Sequence, residues 1–326
     1  MSSGRANALI RALTGAGLAA VACAAAAQSF PNKPIRLIVP VPAGAGADFV
    51  ARAYAQRLTA TLGQQVVVDN RGGASGIIAM EAVAKAAPDG YTLVQATIAT
   101  LCIMPFMYKK LPYDALRDYA PVSMTTLNPL LLVVHPSLPV HSVKELIEYA
   151  KVNPDRVSYA SVGSGSVQHL AGYVFFKEAR VSAVHVPYKG AAPATVDLLA
   201  GQVNTAFSGV GTVAAHLKAG KLRALAITGK RMDTFPGVPS LGETGGPDVQ
   251  MGLWNGIVAP AHTPAAIVRR LNAEIVTAAN SAELLAAMAS NSTSPTSTTP
   301  EEFAAHIRAD QARFAKIVKE SGARAD

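Results

Sequence analysis

Residues 35–48 read Ile35-Arg36-Leu37-Ile38-Val39-Pro40-Val41-Pro42-Ala43-Gly44-Ala45-Gly46-Ala47-Asp48, an apolar run that passes straight into a glycine and alanine loop. The run is broken only by Arg36 and Pro40, the pattern of a strand covered on both faces. Beyond the loop, Val50, Tyr54, Leu58 and Leu62 recur every four residues until Gly63, which marks an amphipathic helix and its stop. The unit then repeats. Residues 65–69 read as a second strand, 70–76 as a second glycine loop, 77–87 as a helix ended by Pro88-Asp89-Gly90, and 91–96 as a third strand. Strands joined by helical crossovers run parallel, so this βαβαβ segment predicts an α/β sheet.

A second series begins with a strand at 130–135 and a helix opened by Ser142-Val143-Lys144-Glu145, a capping box. Strands at 157–161, 183–187, 203–208 and 222–228 alternate with helices at 166–178, 193–200 and 212–219. Residues 252–259 read as one more strand. Thr263-Pro264 then caps a long helix, 290–299 form a Ser/Thr/Pro loop, and Thr299-Pro300-Glu301-Glu302 caps the last helix.

The 326 residues are 50% hydrophobic and 15% charged, enough to bury a core and long enough for two compact units. Residues 1–11 carry Arg5 and Arg11 and no acid, residues 12–26 are small and apolar, and Ala25-Ala26-Ala27 has the small-residue pattern of a secretory cleavage site. Export with cleavage after Ala27 is therefore expected. Cys23 is a poor lipidation site because Ala20 stands where a lipobox has leucine. Cleavage would leave Cys102 as the sole cysteine, so no intramolecular disulfide is expected. The formal charge of +8 is carried by basic residues scattered singly or in pairs, never in a stripe interleaved with aromatics, which argues against a nucleic-acid partner.

Parallel sheets bind ligands beyond the carboxyl ends of their strands, where loops and helix N-termini gather unpaired N–H groups. Three such loops occur early, at 41–48, 70–76 and 97–101, and the first two are dense in Gly and Ala. Their backbone amides suit a carboxylate or similar anion, although spacing alone is equally met by tight turns. Later in the chain, Ser161, Gly163, Ser164, Gly165 and Ser166 follow a strand and open a helix, with His169 one turn inside it. Ser166 read alone is an ordinary N-cap, and His169 a packed histidine. Asp48 and Asp69 are more simply loop braces or caps than general bases. No nucleophile elbow occurs, and the seven His residues form no metal-ligand pattern with Cys or acids. Gly209-Val210-Gly211-Thr212-Val213-Ala214 fits a dinucleotide pattern, but Thr228 stands where an acid would hold ribose. No catalytic grouping, metal or cofactor is expected.

Several longer stretches resemble one family. Pro31-Asn32-Lys33-Pro34-Ile35-Arg36-Leu37-Ile38-Val39-Pro40, Gly63-Gln64-Gln65-Val66-Val67-Val68-Asp69-Asn70-Arg71 and Pro88-Asp89-Gly90-Tyr91-Thr92-Leu93 are similar to text of the Bug solute receptors of tripartite tricarboxylate transporters. So are His185-Val186-Pro187-Tyr188-Lys189-Gly190, Gly220-Lys221-Leu222-Arg223-Ala224-Leu225-Ala226 and Pro260-Ala261-His262-Thr263-Pro264.

The resemblance implies a type II periplasmic-binding-protein fold, with two doubly wound α/β lobes and a hinged cleft between them. Residues 1–27 would be the signal peptide, 28–127 with 252–326 the first lobe, and 128–251 the second. It implies a monomeric, non-enzymatic periplasmic receptor that binds a small organic carboxylate and passes it to membrane permease subunits. Service to a two-component sensor is the neighbouring reading, and an exported enzyme on this scaffold the more distant one. Carried over by motif, first-lobe contacts would be Pro42, Ala43, Gly44, Asp48, Gly73, Ala74 and Ser75, with Thr97 or Thr100 behind them. The second lobe would add Ser161, Ser164, Ser166, His169, Tyr188 and Ser208. Ser208 stands where many relatives have an Asp able to hold an amino group, so a ligand with no necessary ammonium is expected. Ala47 stands where many have a hydroxyl.

Overall fold

The computed structural model describes residues 30–325. The leader and its cleavage site, with Cys23, lie outside these residues.

The chain alternates strand and helix: β1 (Ile35–Val39), α1 (Gly46–Leu62), β2 (Val66–Asn70), α2 (Ile77–Ala84) and β3 (Thr92–Thr97). A π-helical turn (Ala99–Ile103) and the short α3 (Met104–Met107) follow. Then come β4 (Tyr119–Val134), α4 (Val143–Val152), β5 (Ser158–Ser161), α5 (Val167–Glu178), β6 (Val184–Pro187), α6 (Ala191–Leu199), β7 (Thr205–Gly209), α7 (Val210–Lys218) and β8 (Arg223–Ile227). The chain closes with β9 (Gly252–Pro260), α8 (Ala265–Ala279), α9 (Ala282–Ala289) and α10 (Pro300–Ser321).

The expected parallel units are present. β1 pairs in parallel with β2 and β3, and β5 with β6 and β7. One half-sheet runs β2-β1-β3-β9-β4, and β4 continues into the other, bonding β7 along one edge and β8 along the opposite one. The apolar residues of β1 and β3 are buried, whereas Val67 on the edge strand β2 is exposed. One core runs through both half-sheets, from Ile38 and Val94 to Leu132, Phe175, Phe207, Trp254 and Phe303. Separate cores back each half-sheet, around Tyr54 and Leu271 in one and Leu198 and Val213 in the other.

Two expectations need correction. The strand expected to begin at residue 130 begins at Tyr119 and runs for 16 residues. Its first part holds Pro121, Ser123, Thr125 and Thr126, a poor strand signature, yet the three hydroxyl residues are fully buried. Tertiary bonds satisfy them: Ser123 Oγ donates to Thr298 O at 3.0 Å, Gln95 Nε2 to Thr125 Oγ1 at 2.9 Å, and Asn255 Nδ2 to Thr126 Oγ1 at 2.9 Å. Buried polar groups need such partners. The long helix expected after Pro264 is two helices, because Ser281 turns inward as a cap and accepts the Leu284 N–H.

Register fixes where the loops lie. β3 ends at Thr97, opposite Asn255, which in turn lies opposite Thr126 of β4. β7 runs the other way along β4 and ends at Gly209, opposite Leu130. The carboxyl ends of both parallel sets therefore approach one short stretch of β4 from opposite directions, separated by roughly 13 Å of extended chain.

Candidate carboxylate-binding site

In the first half-sheet the three strand-end loops touch one another. The Gly72 backbone lies against Pro42, and Gly76 lies so close to Pro40 and Thr100 that a side chain there would meet Pro40 Cβ at 2.8 Å and Thr100 Cγ2 at 3.2 Å. Pro42, Ala43, Gly44, Gly73, Ala74 and Ser75 are all exposed at this end. Gly73, Ala74, Ser75 and Gly76 form a continuous run of positive φ, at 106°, 43°, 55° and 95°. Two of these residues are not glycine, and Ala and Ser pay a steric cost in the left-handed region. Such strain persists where the surroundings enforce it, and it clusters at ligand clamps. Among the described residues no protein acceptor takes the N–H of Gly73, Ala74 or Ser75, or that of Ala43. The run thus offers a concentrated set of donors to an anion.

Asp48 sits behind the first loop. It is 2% exposed, on the first turn of α1, and is fully engaged. Its Oδ2 accepts from Gly44 N–H at 2.8 Å and Arg52 Nε at 3.0 Å, and its Oδ1 from Asn70 Nδ2 at 2.8 Å. Burial, the strongest single influence, pushes its pKa up, but these bonds and the Arg52 charge outweigh it and hold the carboxyl below the ordinary range. Asp48 therefore braces the first loop against the end of β2, as the residue-level reading had it, and the Gly44 N–H is spent inside that brace. Thr97 and Thr100 lie behind the loops and bond one another: Thr97 N–H donates to Thr100 Oγ1 at 3.0 Å, and Thr100 Oγ1 to Thr97 O at 3.0 Å. They pin the π-helical turn, an irregularity frequent at functional sites.

The second half-sheet supplies hydroxyls and imidazoles. Ser161 ends β5, and its Oγ lies 2.7 Å from His185 Nε2. Ser166 caps α5, accepting from His169 N–H at 3.2 Å and donating to Gly163 O at 2.7 Å. His169 Nδ1 accepts the Gly165 N–H at 3.0 Å, which leaves the ring proton of the neutral form on Nε2. The His169 and His185 rings stack at 3.8 Å with planes 14° apart, and Tyr159 stacks on His185 at 4.9 Å. Burial pushes His169 and His185 down to about 4, with His185 adding to the shift of His169, so both are neutral at pH 7.

Ser164 is exposed at the loop tip. Tyr188 ties the β6 loop to β5 through its N–H to Ser161 O at 3.0 Å, while its hydroxyl donates to Asp197 at 2.8 Å. Ser208 shares with Ser161, Gln168 and Thr212 a small recess of about 30 Å³ at the ends of β5 and β7.

The sequence reading omitted His185 and Met107. Motif text contained His185, but only the β5–β6 pairing puts it beside Ser161. Met107, at the end of α3, packs on Gly165, whose added Cβ would overlap its sulfur, so the segment after the π-turn meets the loop after β5 directly. Among the described residues no group of His, Cys, Asp or Glu could hold a metal ion, and no helix is long and apolar enough to cross a membrane.

Comparison with known proteins identifies the family and the fold. Protein BugT of Bordetella pertussis is 38% identical over 308 residues, covering 94% of each chain. A protein in the tcbD-tcbE intergenic region of a Pseudomonas species is 35% identical over 315 residues, covering 95% of this chain and 94% of its own. Among solved structures, Rpa4515 of R. palustris with adipate has a TM-score of 0.79 at 34% identity, covering 91% of this chain and 99% of that one. MatC of Rhodopseudomonas palustris with bound malate has a TM-score of 0.74 at 30% identity, covering 89% of this chain and 100% of that one. The fold is thus that of the periplasmic binding proteins of this type, and residues 50–323 match the tripartite tricarboxylate transporter family receptor model, so the chain belongs to the TctC family.

Proposed function

We propose that this receptor binds a small organic carboxylate in the gap between the two sets of strand-end loops and passes it to the permease subunits of a tripartite transporter from the periplasm. The family and its solved members are solute-binding receptors, not enzymes. The observation that carries the ligand class is the left-handed run at Gly73–Gly76, in which the N–H groups of Gly73, Ala74 and Ser75 have no protein acceptor among the described residues. Relatives solved with adipate and with malate support the same class. The lobes would comprise residues 28–127 with 252–326 and residues 128–251, joined by β4 and β9. The contacts would come from Pro42, Ala43, Gly73, Ala74 and Ser75 on one side and Ser161, Ser164, Ser166, His169, Tyr188 and Ser208 on the other. Gly44 and Asp48 shape the first loop from behind, and Thr97 and Thr100 back the second.

Ser208 brings a hydroxyl and no charge to its recess, and His169 and His185 are neutral. The ligand's second end therefore needs no ammonium. A ligand that touches both lobes stabilises the closed arrangement by its differential contacts, and the closed surface is what a permease can read.

The test is a thermal-shift and calorimetric screen of aliphatic dicarboxylates beside aspartate and glutamate. Dicarboxylates are expected to raise Tm in proportion to the logarithm of their concentration, and the amino acids to have no effect. Gly73→Val forces a branched side chain into φ 106° and against Ile78 Cδ1 at 3.3 Å, so it should abolish the shift. Aspartate binding as tight as that of the dicarboxylates, or a full shift in Gly73→Val, would refute the assignment.

A further inference from the structure

A cavity of about 560 Å³ lies apart from the strand-end loops, where β4, β9, the end of β8 and α10 meet. None of its lining residues belongs to those loops. It opens beside Thr228–Met232, which follow β8, whereas Ser208 lies on β7 at the opposite edge of β4. Its size is that of a small-molecule pocket.

Its lining is divided by chemistry. Leu127, Pro129, Met232, Met251 and Trp254 form an apolar floor, and Lys230, Arg231 and Arg313 bring three cations against one acid, Asp310. That acid is already satisfied: Trp254 Nε1 donates to it at 2.7 Å, Arg313 Nη2 at 2.7 Å, and His306 Nε2 lies 3.4 Å away. Arg231 is committed to Glu243 at 2.9 Å. Lys230 has no acidic partner among the described residues, and Arg313 Nε is buried without an acceptor although its Nη atoms are bonded to Asp310 and Gln250 O. Two cationic donors are therefore left over above an apolar floor.

We propose that this cavity is a second binding site, for an organic anion with an apolar or aromatic body, whose acidic group lies between Lys230 and Arg313 and whose body rests on Met251 and Trp254. The match is one of charge and shape together: an inorganic anion would leave the floor unfilled, and a neutral apolar compound would leave Lys230 without an acidic partner and Arg313 Nε without an acceptor. The site does not depend on the carboxylate gap between the loops.

Trp254 is the only tryptophan in the chain and lines the cavity, so its fluorescence reports occupancy directly. The probe is 4-nitrobenzoate, an aromatic acid that quenches indole at short range. Quenching is expected to saturate in the unmodified protein and to persist in Gly73→Val, which disables the other site. It should weaken about tenfold in Lys230→Glu, an exposed change that leaves the core intact and keeps the dicarboxylate thermal shift. Quenching that rises linearly without saturation, disappears in Gly73→Val, or is unaffected by Lys230→Glu would overturn the proposal. Because Lys230→Glu is also scored for its dicarboxylate shift, failure of this site and failure of the strand-end site are read separately.

Discussion

A carboxylate at a loop end can be a ligand group or a tie, and Asp48 is a tie because all of its strong acceptor directions are taken from within the chain. Asp48→Ala would leave the Gly44 N–H without its acceptor, the Asn70 amide with only Val41 O, and Arg52 without its ion pair. Removing one member of such a buried set costs roughly 2–4 kcal/mol. Urea unfolding of Asp48→Ala should show that loss together with weaker dicarboxylate binding, while Asp48→Asn, which keeps an acceptor, should lose less of both. Equal stability in Asp48→Ala would mean that the loop holds itself. Glycine-rich spacing made the strand-end loops legible in the sequence, but not the backbone donors they leave free. Ala74 and Ser75 carry no left-handed signal of their own, and they precede Gly76, which packs closely on Pro40 and Thr100.

At the scale of elements, β5, β6 and the first turn of α5 are clamped by the stack of Tyr159, His185 and His169 and by the bond from Gly165 to His169. Both imidazoles titrate near 4 in the folded chain, against about 6.5 when unfolded. The unfolded state therefore binds more protons between those values. The stabilisation from neutral histidine is complete above pH 6.5 and is lost as pH falls toward 4, by at most about 3 kcal/mol for His169 and less for the half-buried His185. Urea titrations at pH 6.5 and 4.5 should show this drop, and His169→Gln, whose amide oxygen can still accept from Gly165, should flatten it. An unchanged slope in that variant would place the titration elsewhere. The alternation of these elements was legible because each strand and helix has its own apolar period. The first half of β4 was not, since its Ser and Thr residues are buried only by virtue of partners on β3, β9 and the segment before α10.

At the scale of the whole molecule, the two half-sheets share β4 and one continuous core, and further contacts join them, among them the ion pair of Lys177 on α5 with Glu320 on α10 at 2.7 Å. Besides Met107 on Gly165, α7 meets the loop after α9, where a Cβ on Gly211 would come within 2.8 Å of Asn291 O. The neighbour there is backbone and cannot swing aside, unlike the Met107 side chain. Gly211→Ala is therefore expected to hold the halves apart at this point while leaving each core unchanged. If closure over a ligand brings this contact together, the variant lowers the population of the competent state, and apparent affinity falls by the same factor. A penalty of about 1.4 kcal/mol corresponds to tenfold weaker dicarboxylate binding. Calorimetry should show that loss, small-angle scattering should show a larger radius for the ligand-saturated variant, and the ligand-free Tm should stay within a few degrees. Unaltered affinity with a sharply lower Tm would instead make the Gly211 contact part of a rigid body, and the hinge would have to lie outside the β4 and β9 crossing.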